Sequence, residues 1–346
     1  MKEQMYYDGT RLLSTMDING RKPEIFLCTS NRTGGKTTYF NRLAVNRFKN
    51  GKGKFLLTYR FNYELDDCDE KFFTDIARLF FPKDILKSKR RAAGIFHELF
   101  LNDESCGYAI ALNAADQIKK YSHLMTDSNS QLFDEFQSET NHYCADEIKK
   151  FISVHTSLAR GNGEQYRYLP VYMIGNPVSI INPYYVEMGI SNRLATDTKI
   201  LRGDGWVLEQ GFVRAASEAQ KNAGFNRAFA SNEYVAYSSE CVYLNDSMAF
   251  IDKPEGKSVY IGTLKYQNAC YGVREYPELG IVYCDNRPDM SHRVKITVTT
   301  DDHEVNYVML HRNDMILQTW RWFFEKGCFR FKDLKCKEAI LKALSY

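Results

Sequence analysis

The stretch from Cys28 to Phe40, CTSNRTGGKTTYF, contains residue types that hold phosphates. A phosphate-binding loop reads G-x-x-x-x-G-K-[ST]. Its backbone N–H groups cradle phosphates at a helix N-terminus, its lysine reaches the β- and γ-phosphates, and its hydroxyl meets magnesium. Gly35, Lys36 and Thr37 fit the end of this pattern, but Ser30 stands where the first glycine should be. Ser30 is tolerable there if its backbone dihedrals are ordinary, because Gly34 and Gly35 still allow close approach of the backbone. Ser30, Asn31, Arg32, Thr33, Gly34, Gly35, Lys36, Thr37 and Thr38 are therefore expected to bind ATP, with Thr37 on Mg2+ and Arg32 as a further phosphate ligand.

A second feature is Leu132-Phe133-Asp134-Glu135. An apolar strand ending in two acids supplies a magnesium-side carboxylate, Asp134, and a group that orients or deprotonates the attacking water, Glu135. Only Leu132 and Phe133 precede the acids, behind the polar run Thr126 to Gln131, so a solvated acidic turn is the competing reading. Asn176 follows the apolar run Val171 to Gly175, where a polar side chain can meet the γ-phosphate or the water. An Asn-Pro turn starter explains it equally well. Arg160 ends an amphipathic stretch beside Gly161-Asn162-Gly163. It reads either as a cation favoured at a helix C-terminus or as an arginine finger reaching a neighbouring subunit's nucleotide. His155 reads as a satisfied core residue, and Lys87 to Arg91 as a solvated basic face more than a phosphate-contacting patch. Two-metal nucleases need converging carboxylates. Of Asp252, Asp285, Asp301, Asp302 and Glu304, only Asp285 ends a clear strand, so nuclease activity is not expected.

These residues need a scaffold. Glu24 to Thr29 reads as a buried strand, Lys36 to Lys49 as a helix and Lys54 to Tyr59 as a second strand. That βαβ rhythm points to a mainly parallel sheet. Gly94 to Leu112 reads as a hairpin with a polar tip at Asn102 to Gly107, Ala145 to Arg160 as a helix, and Leu169 to Gly175 as another strand. After residue 212 comes a short helical stretch, Val213 to Ala223, then a connector rich in Ala, Gly, Asn and Phe. Strands at Val259 to Tyr266, Cys270 to Glu275, Gly280 to Cys284 and Val294 to Thr299 precede helices at Met315 to Lys326 and Lys332 to Ser345, a compact α+β domain. The expected division is an ATPase domain over 1–212, a small helical linker over 213–238 and a second domain over 239–346.

The 346 residues, 44% hydrophobic and 26% charged, suit a globular chain of about two domains. A net charge of +3 neither demands nor excludes nucleic acid. It suits a protein that slides on DNA better than one that grips many phosphates tightly. Nine scattered cysteines without a C-x-x-C pair, and an N-terminus without an apolar run, lead to the expectation of a cytosolic protein with reduced thiols.

With these residues in place, the chain resembles the DNA-encapsidation (genome-packaging) ATPases of small short-tailed phages of the picovirus type. The likeness runs nearly end to end, through SNRTGGKTT, LAVNRF, FDEF, GNPVSIINPYY, GIVYCDN, VTTDD and KGCFRFKDL. It implies a P-loop NTPase domain of the additional-strand catalytic-glutamate type, a linker, and a vestigial RNase H-like nuclease domain. It also implies a homopentameric ring at the portal of an empty procapsid, in the host cytoplasm and not in the mature virion. That ring would drive double-stranded DNA inward with ATP and Mg2+, involve no membrane, and in some members use a structural RNA. Carried over, Lys36 and Thr37 match Walker A, Asp134 and Glu135 match Walker B, Arg160 the trans-acting arginine and Asn176 the sensor. Ser30 and Thr33 replace glycines of the family loop, and Asn62 lies where the family can carry a lysine. Two other readings are a small-molecule P-loop kinase, which leaves Glu135 unexplained, and a nucleotide-stabilised ring adaptor without turnover.

Overall fold

The computed structural model describes residues 6–160, 163–191, 193–194, 198–240, 243, 249–311 and 314–344. The chain forms two compact units: Met1–Phe136, Lys149–Pro177 and Ala195–Val242 make the first; Gln137–Ile148, Val178–Leu194 and Tyr243–Tyr346 make the second. Residues 213–238, expected as a separate linker, cluster with the first unit.

The strands of the first unit are β1 (Ile25–Thr29), β2 (Lys54–Tyr59), β3 (Leu86–Arg91), β4 (Phe96–Leu101), β5 (Glu104–Ala111), β6 (Ser128–Asp134), β7 (Val171–Gly175), β8 (Ile200–Arg202) and β9 (Trp206–Gln210). Its helices are α1 (Thr10–Ser14), α2 (Lys36–Lys49), α3 (Cys68–Phe80), α4 (Ala115–Tyr121), α5 (Glu147–Leu158), which begins in the second unit, and later α7 (Arg214–Asn222), α8 (Gly224–Ala228) and α9 (Glu233–Glu240); between them the second unit contributes α6 (Pro183–Glu187). One sheet runs β3-β4-β5-β2-β6-β7-β1-β9-β8, parallel from β5 to β9 and antiparallel at both edges. β7 lies between β1 and β6, which is the additional strand expected between the phosphate-loop strand and the acid-bearing strand. β1, β2 and β7 are mostly apolar because parallel strands are covered on both faces. Gly107 has no room for a side chain, since a Cβ there would lie 2.3 Å from the Phe55 carbonyl oxygen.

The acid-bearing strand is longer than expected. Ser128, Ser130 and Gln131 belong to β6 and are buried. Gln131 Nε2 donates to Thr58 Oγ1 at 2.9 Å, and its Oε1 meets His155 Nδ1 at 3.0 Å. Buried polar side chains thus occupy a core strand, the Gln131 amide with both ends paired, which defeats a hydrophobicity count. The helix over 145–160 is observed as Glu147–Leu158. The hairpin tip shrinks to Asn102-Asp103, both at positive φ. Leu86–Arg91 forms an edge strand that no periodicity announced, and β9, paired parallel to β1, was likewise missed.

The second unit holds β10 (Val259–Tyr266), β11 (Ala269–Tyr276), β12 (Ile281–Asp285), β13 (Lys295–Thr297), β14 (Val308–Met309), β15 (Phe329–Phe331), α10 (Met315–Glu325) and α11 (Leu334–Leu344). The order is β14-β13-β10-β11-β12-β15. An antiparallel meander, β10 to β12, is extended by β13 and β14, each parallel to its neighbour. That is the RNase H-like plan, with β15 added parallel to β12. Its core gathers Leu264, Val273, Cys284 and Ile296 of the sheet with Trp320 of α10 and Ile340 of α11.

Candidate nucleotide-binding site

β1, β6 and β7 are neighbours and run parallel, so Thr29, Asp134 and Gly175 end at one edge of the sheet. In open α/β sheets, ligands bind outside the carboxyl ends of the strands. The loop after β1 leads into α2, whose N-cap is Gly35 at φ 85. Gly35 provides no side chain, so the first N–H groups of α2 carry no side-chain cap and the positive end of the helix dipole is open to an anion.

Lys36 is buried and donates to Asn176 Oδ1 at 2.6 Å and to the Ser30 carbonyl at 3.4 Å. Thr37 neighbours the Asp134 carboxylate. Burial pushes the Asp134 carboxyl above the usual aspartate range, while the Lys36 ammonium, Thr37 and the Glu135 N–H pull it back. Glu135 donates its own N–H to Asp134 Oδ1 at 2.9 Å and is exposed, with φ 55. The strand-end register therefore brings Lys36, Thr37, Asp134, Glu135 and Asn176 together. Arg160 is exposed, two residues beyond α5, and stands outside this hydrogen-bonded cluster; Gly161 and Asn162 lie outside the described residues.

The loop residues divide by role. Ser30 is buried and is not among the residues with positive φ, the condition under which it can replace glycine. Thr33 is the strained position: its φ is 58, rare for a β-branched residue. Gln220 of α7 holds it, donating to Thr33 Oγ1 at 2.6 Å and to the Arg32 carbonyl at 2.7 Å. Asn31 is buried, and its side chain pairs with both backbone groups of Val213 at 2.9 and 3.1 Å. Arg32 donates its N–H to the Ser238 carbonyl at 3.0 Å, and its guanidinium lies over the rings of Tyr234 and Tyr237 at 5.3 and 5.8 Å. Gly34, Gly35 and Thr38 surround the helix start, Gly34 with Val213 packed against it.

Three supporting groups went unseen in the sequence. Tyr7 donates its N–H to the Gly34 carbonyl at 2.7 Å and its hydroxyl to Glu209 Oε2 at 2.7 Å, tying the N-terminal segment to the loop and to β9. Burial raises both the Tyr7 and Glu209 pKa values. Arg60, buried past the end of β2, donates to the carbonyls of Glu135 and Phe136 at 3.3 and 2.8 Å and lies over the Phe133 ring. Gln220 is the third. The aromatic pair in MYYDG is the one sequence signal for any of them.

Asp285, Asp302 and Glu304 of the second unit are each engaged by protein partners. Asp285 pairs with Arg274 at 2.7 Å. Asp302 accepts from the N–H groups of Gln267 and Asn268, and Glu304 accepts from Lys265 at 2.6 Å. No cluster of three potential metal ligands occurs among the described residues.

The chain is similar to the DNA packaging protein of Bacillus phage phi29, 23% identical over 335 residues that cover 96% of this chain and 94% of that protein. It is 25% identical over 284 residues to the DNA packaging protein of Bacillus phage B103, covering 80% and 82%. Among solved structures it shares its fold with a chain of the bacteriophage Phi-29 viral genome packaging motor assembly, with TM-score 0.55, 22% identity and 95% of each chain covered. It also shares its fold with the Phi-28 gp11 DNA packaging motor, with TM-score 0.58, 17% identity and 99% of each covered. The family model described as podovirus DNA encapsidation protein (Gp16) matches residues 1–344, and the chain belongs to that family.

Proposed function

We propose that this chain is the ATPase of a viral DNA-packaging motor, hydrolysing ATP to drive double-stranded DNA through a portal into an empty procapsid. The observation that carries this reading is the convergence of Lys36, Thr37, Asp134, Glu135 and Asn176 at three adjacent strand ends in a member of the encapsidation family. The uncapped α2 N-terminus and the buried ammonium fit a polyphosphate. The hydroxyl of Thr37 and the carboxylate of Asp134 are hard oxygen donors, which fits magnesium. Bound magnesium would neutralise charge developing on the phosphates.

In this reading Lys36 binds the β- and γ-phosphates and Asn176 holds its ammonium in place. Glu135 orients the attacking water and accepts its proton, and Arg160 of an adjacent subunit stabilises the departing charge. Arg60 holds the backbone on which Glu135 sits. The ring stack of Arg32 on Tyr234 and Tyr237 supports a role in fastening residues 214–240 to the loop over direct phosphate contact. The active form is a ring, which the family resemblance makes a homopentamer, docked on the procapsid in the host cytoplasm. The first compact unit is the ATPase domain, with residues 213–238 as a helical linker at its end, and the second is a vestigial nuclease domain. The engagement of Asp285, Asp302 and Glu304 with protein partners supports the absence of nuclease activity.

The test is ATP turnover with and without long duplex DNA and procapsids. Stimulation by both, abolished in Lys36→Ala, is the expected result. Turnover indifferent to DNA in the presence of procapsids would sink the motor assignment.

A further inference from the structure

The chain passes from the first compact unit to the second at two places that matter for hydrolysis: after Phe136, directly beyond Asp134 and Glu135, and after Pro177, directly beyond Asn176. The two exits run side by side. On the first unit's side, Phe136 donates its N–H to the Ile174 carbonyl at 3.2 Å. On the second unit's side, Gln137 is buried and its Oε1 accepts from the N–H groups of Val178 and Ser179 at 3.1 and 3.0 Å. One side-chain amide therefore lashes the segment that leaves the acid-bearing strand to the segment that leaves the sensor strand.

The lash has a buried anchor. Ser179 Oγ donates to the Ile181 carbonyl at 2.8 Å and accepts from the Ile181 N–H at 3.0 Å and from Lys337 Nζ at 2.7 Å. One donor and two acceptor sites are the whole capacity of a hydroxyl, so Ser179 is fully used. Lys337 sits on α11, is 2% exposed, and has the Phe250 ring 5.8 Å from its ammonium. Burying an ammonium is costly, and an apolar side chain of the same volume would pack there without that cost. What the lysine adds is a directed hydrogen bond from the core helix of the RNase H-like unit to the segment that follows the sensor.

We propose that Gln137, Ser179 and Lys337 form a coupling element, which carries the shift of the Glu135 and Asn176 strand ends on hydrolysis along the covalent chain into α11. These are positioning residues and touch no substrate. The proposal rests on the motor reading above.

The experiment compares wild type with Ser179→Ala, Lys337→Met and Lys337→Arg in procapsid packaging, measuring ATP turnover (kcat and KM) and base pairs packaged per ATP in the same reaction. The expected result is kcat and KM near wild type in Ser179→Ala and Lys337→Met, with base pairs per ATP lowered about 5-fold or more, the lower range of an intersite coupling. Lys337→Arg, which retains the cation and its donors, restores the ratio. Unchanged base pairs per ATP in both defective variants overturns the proposal, as does turnover falling in proportion to packaging, which marks the residues as merely structural. If Lys337→Met does not fold, Ser179→Ala, which removes only a hydroxyl, decides the matter. A wild type that packages no DNA removes the motor reading and this inference with it, an outcome distinct from wild type and variants packaging alike.

Discussion

At the scale of single residues, the site contains two conflicts between stability and function. Burial raises the Asp134 pKa above its unfolded value, so its ionised form is penalised in the folded protein. The sign follows from linkage: the stability associated with this group is full below its unfolded pKa and is lost as pH rises through the folded value. Asp134→Asn should therefore raise the thermal unfolding midpoint of the nucleotide-free protein at neutral pH while ending magnesium-dependent turnover. A lowered midpoint in that variant would contradict the burial argument. Glu135 holds a left-handed backbone that costs a non-glycine residue about 1–2 kcal/mol. Glu135→Gln keeps that backbone and removes the base. Its kcat should drop about 10²–10⁴-fold, while a fluorescent ATP analogue binds as it does to wild type. Retained turnover would assign the base elsewhere. The loop was legible because Gly35, Lys36 and Thr37 fit the end of the phosphate-loop pattern. Arg60, Tyr7 and Gln220 were not, because each acts through a backbone carbonyl or hydroxyl far away in sequence, and such pairings leave no periodicity.

At the scale of elements, apolar runs announced β1, β2 and β7, since strands buried on both faces must be apolar unless their polar groups are paired. β6 is the exception. Its Ser128, Ser130 and Gln131 look like a polar loop in one dimension, yet all three are buried, and Thr58 and His155 supply partners for the Gln131 amide. Position 107 offers a test of how tightly these strands are packed. A Cβ on Gly107 meets backbone, not a movable side chain, so Gly107→Ala should cost about 1–3 kcal/mol in denaturant unfolding. A change too small to resolve would mean that β2 and β5 separate more easily than the 2.3 Å approach implies. In the second unit the meander and its parallel companion β13 were legible as strands. The short β14 and β15 were hidden because two or three residues carry no pattern.

At the scale of the whole molecule, the reading requires a neighbour. Arg160 is exposed and outside the Lys36 cluster, so in the proposed reading it acts on a neighbouring subunit's loop as an arginine finger, a group associated with about 10³–10⁵ in rate. Arg160→Ala subunits and Lys36→Ala subunits should each be inactive, and mixing them should restore measurable ATP turnover, because mixed interfaces pair an intact loop with an intact finger. No recovery at any ratio, with mixed rings verified by crosslinking, would place the arginine in another role. Copies gathered in the proposed ring would also have to avoid permanent association through their sheets. The outer strand β3 is open on one side, and its sequence LKSKRR sets charged side chains along that side. Lys87, Arg90 and Arg91 each pair with an acid on the same chain. Joining two such edges would mean desolvating these charged pairs, and the Ser88 N–H is already taken by Asp69, so edge-to-edge pairing of copies is disfavoured. The strip that reads in the sequence as a solvated basic face would thus also guard this sheet edge against pairing with another copy.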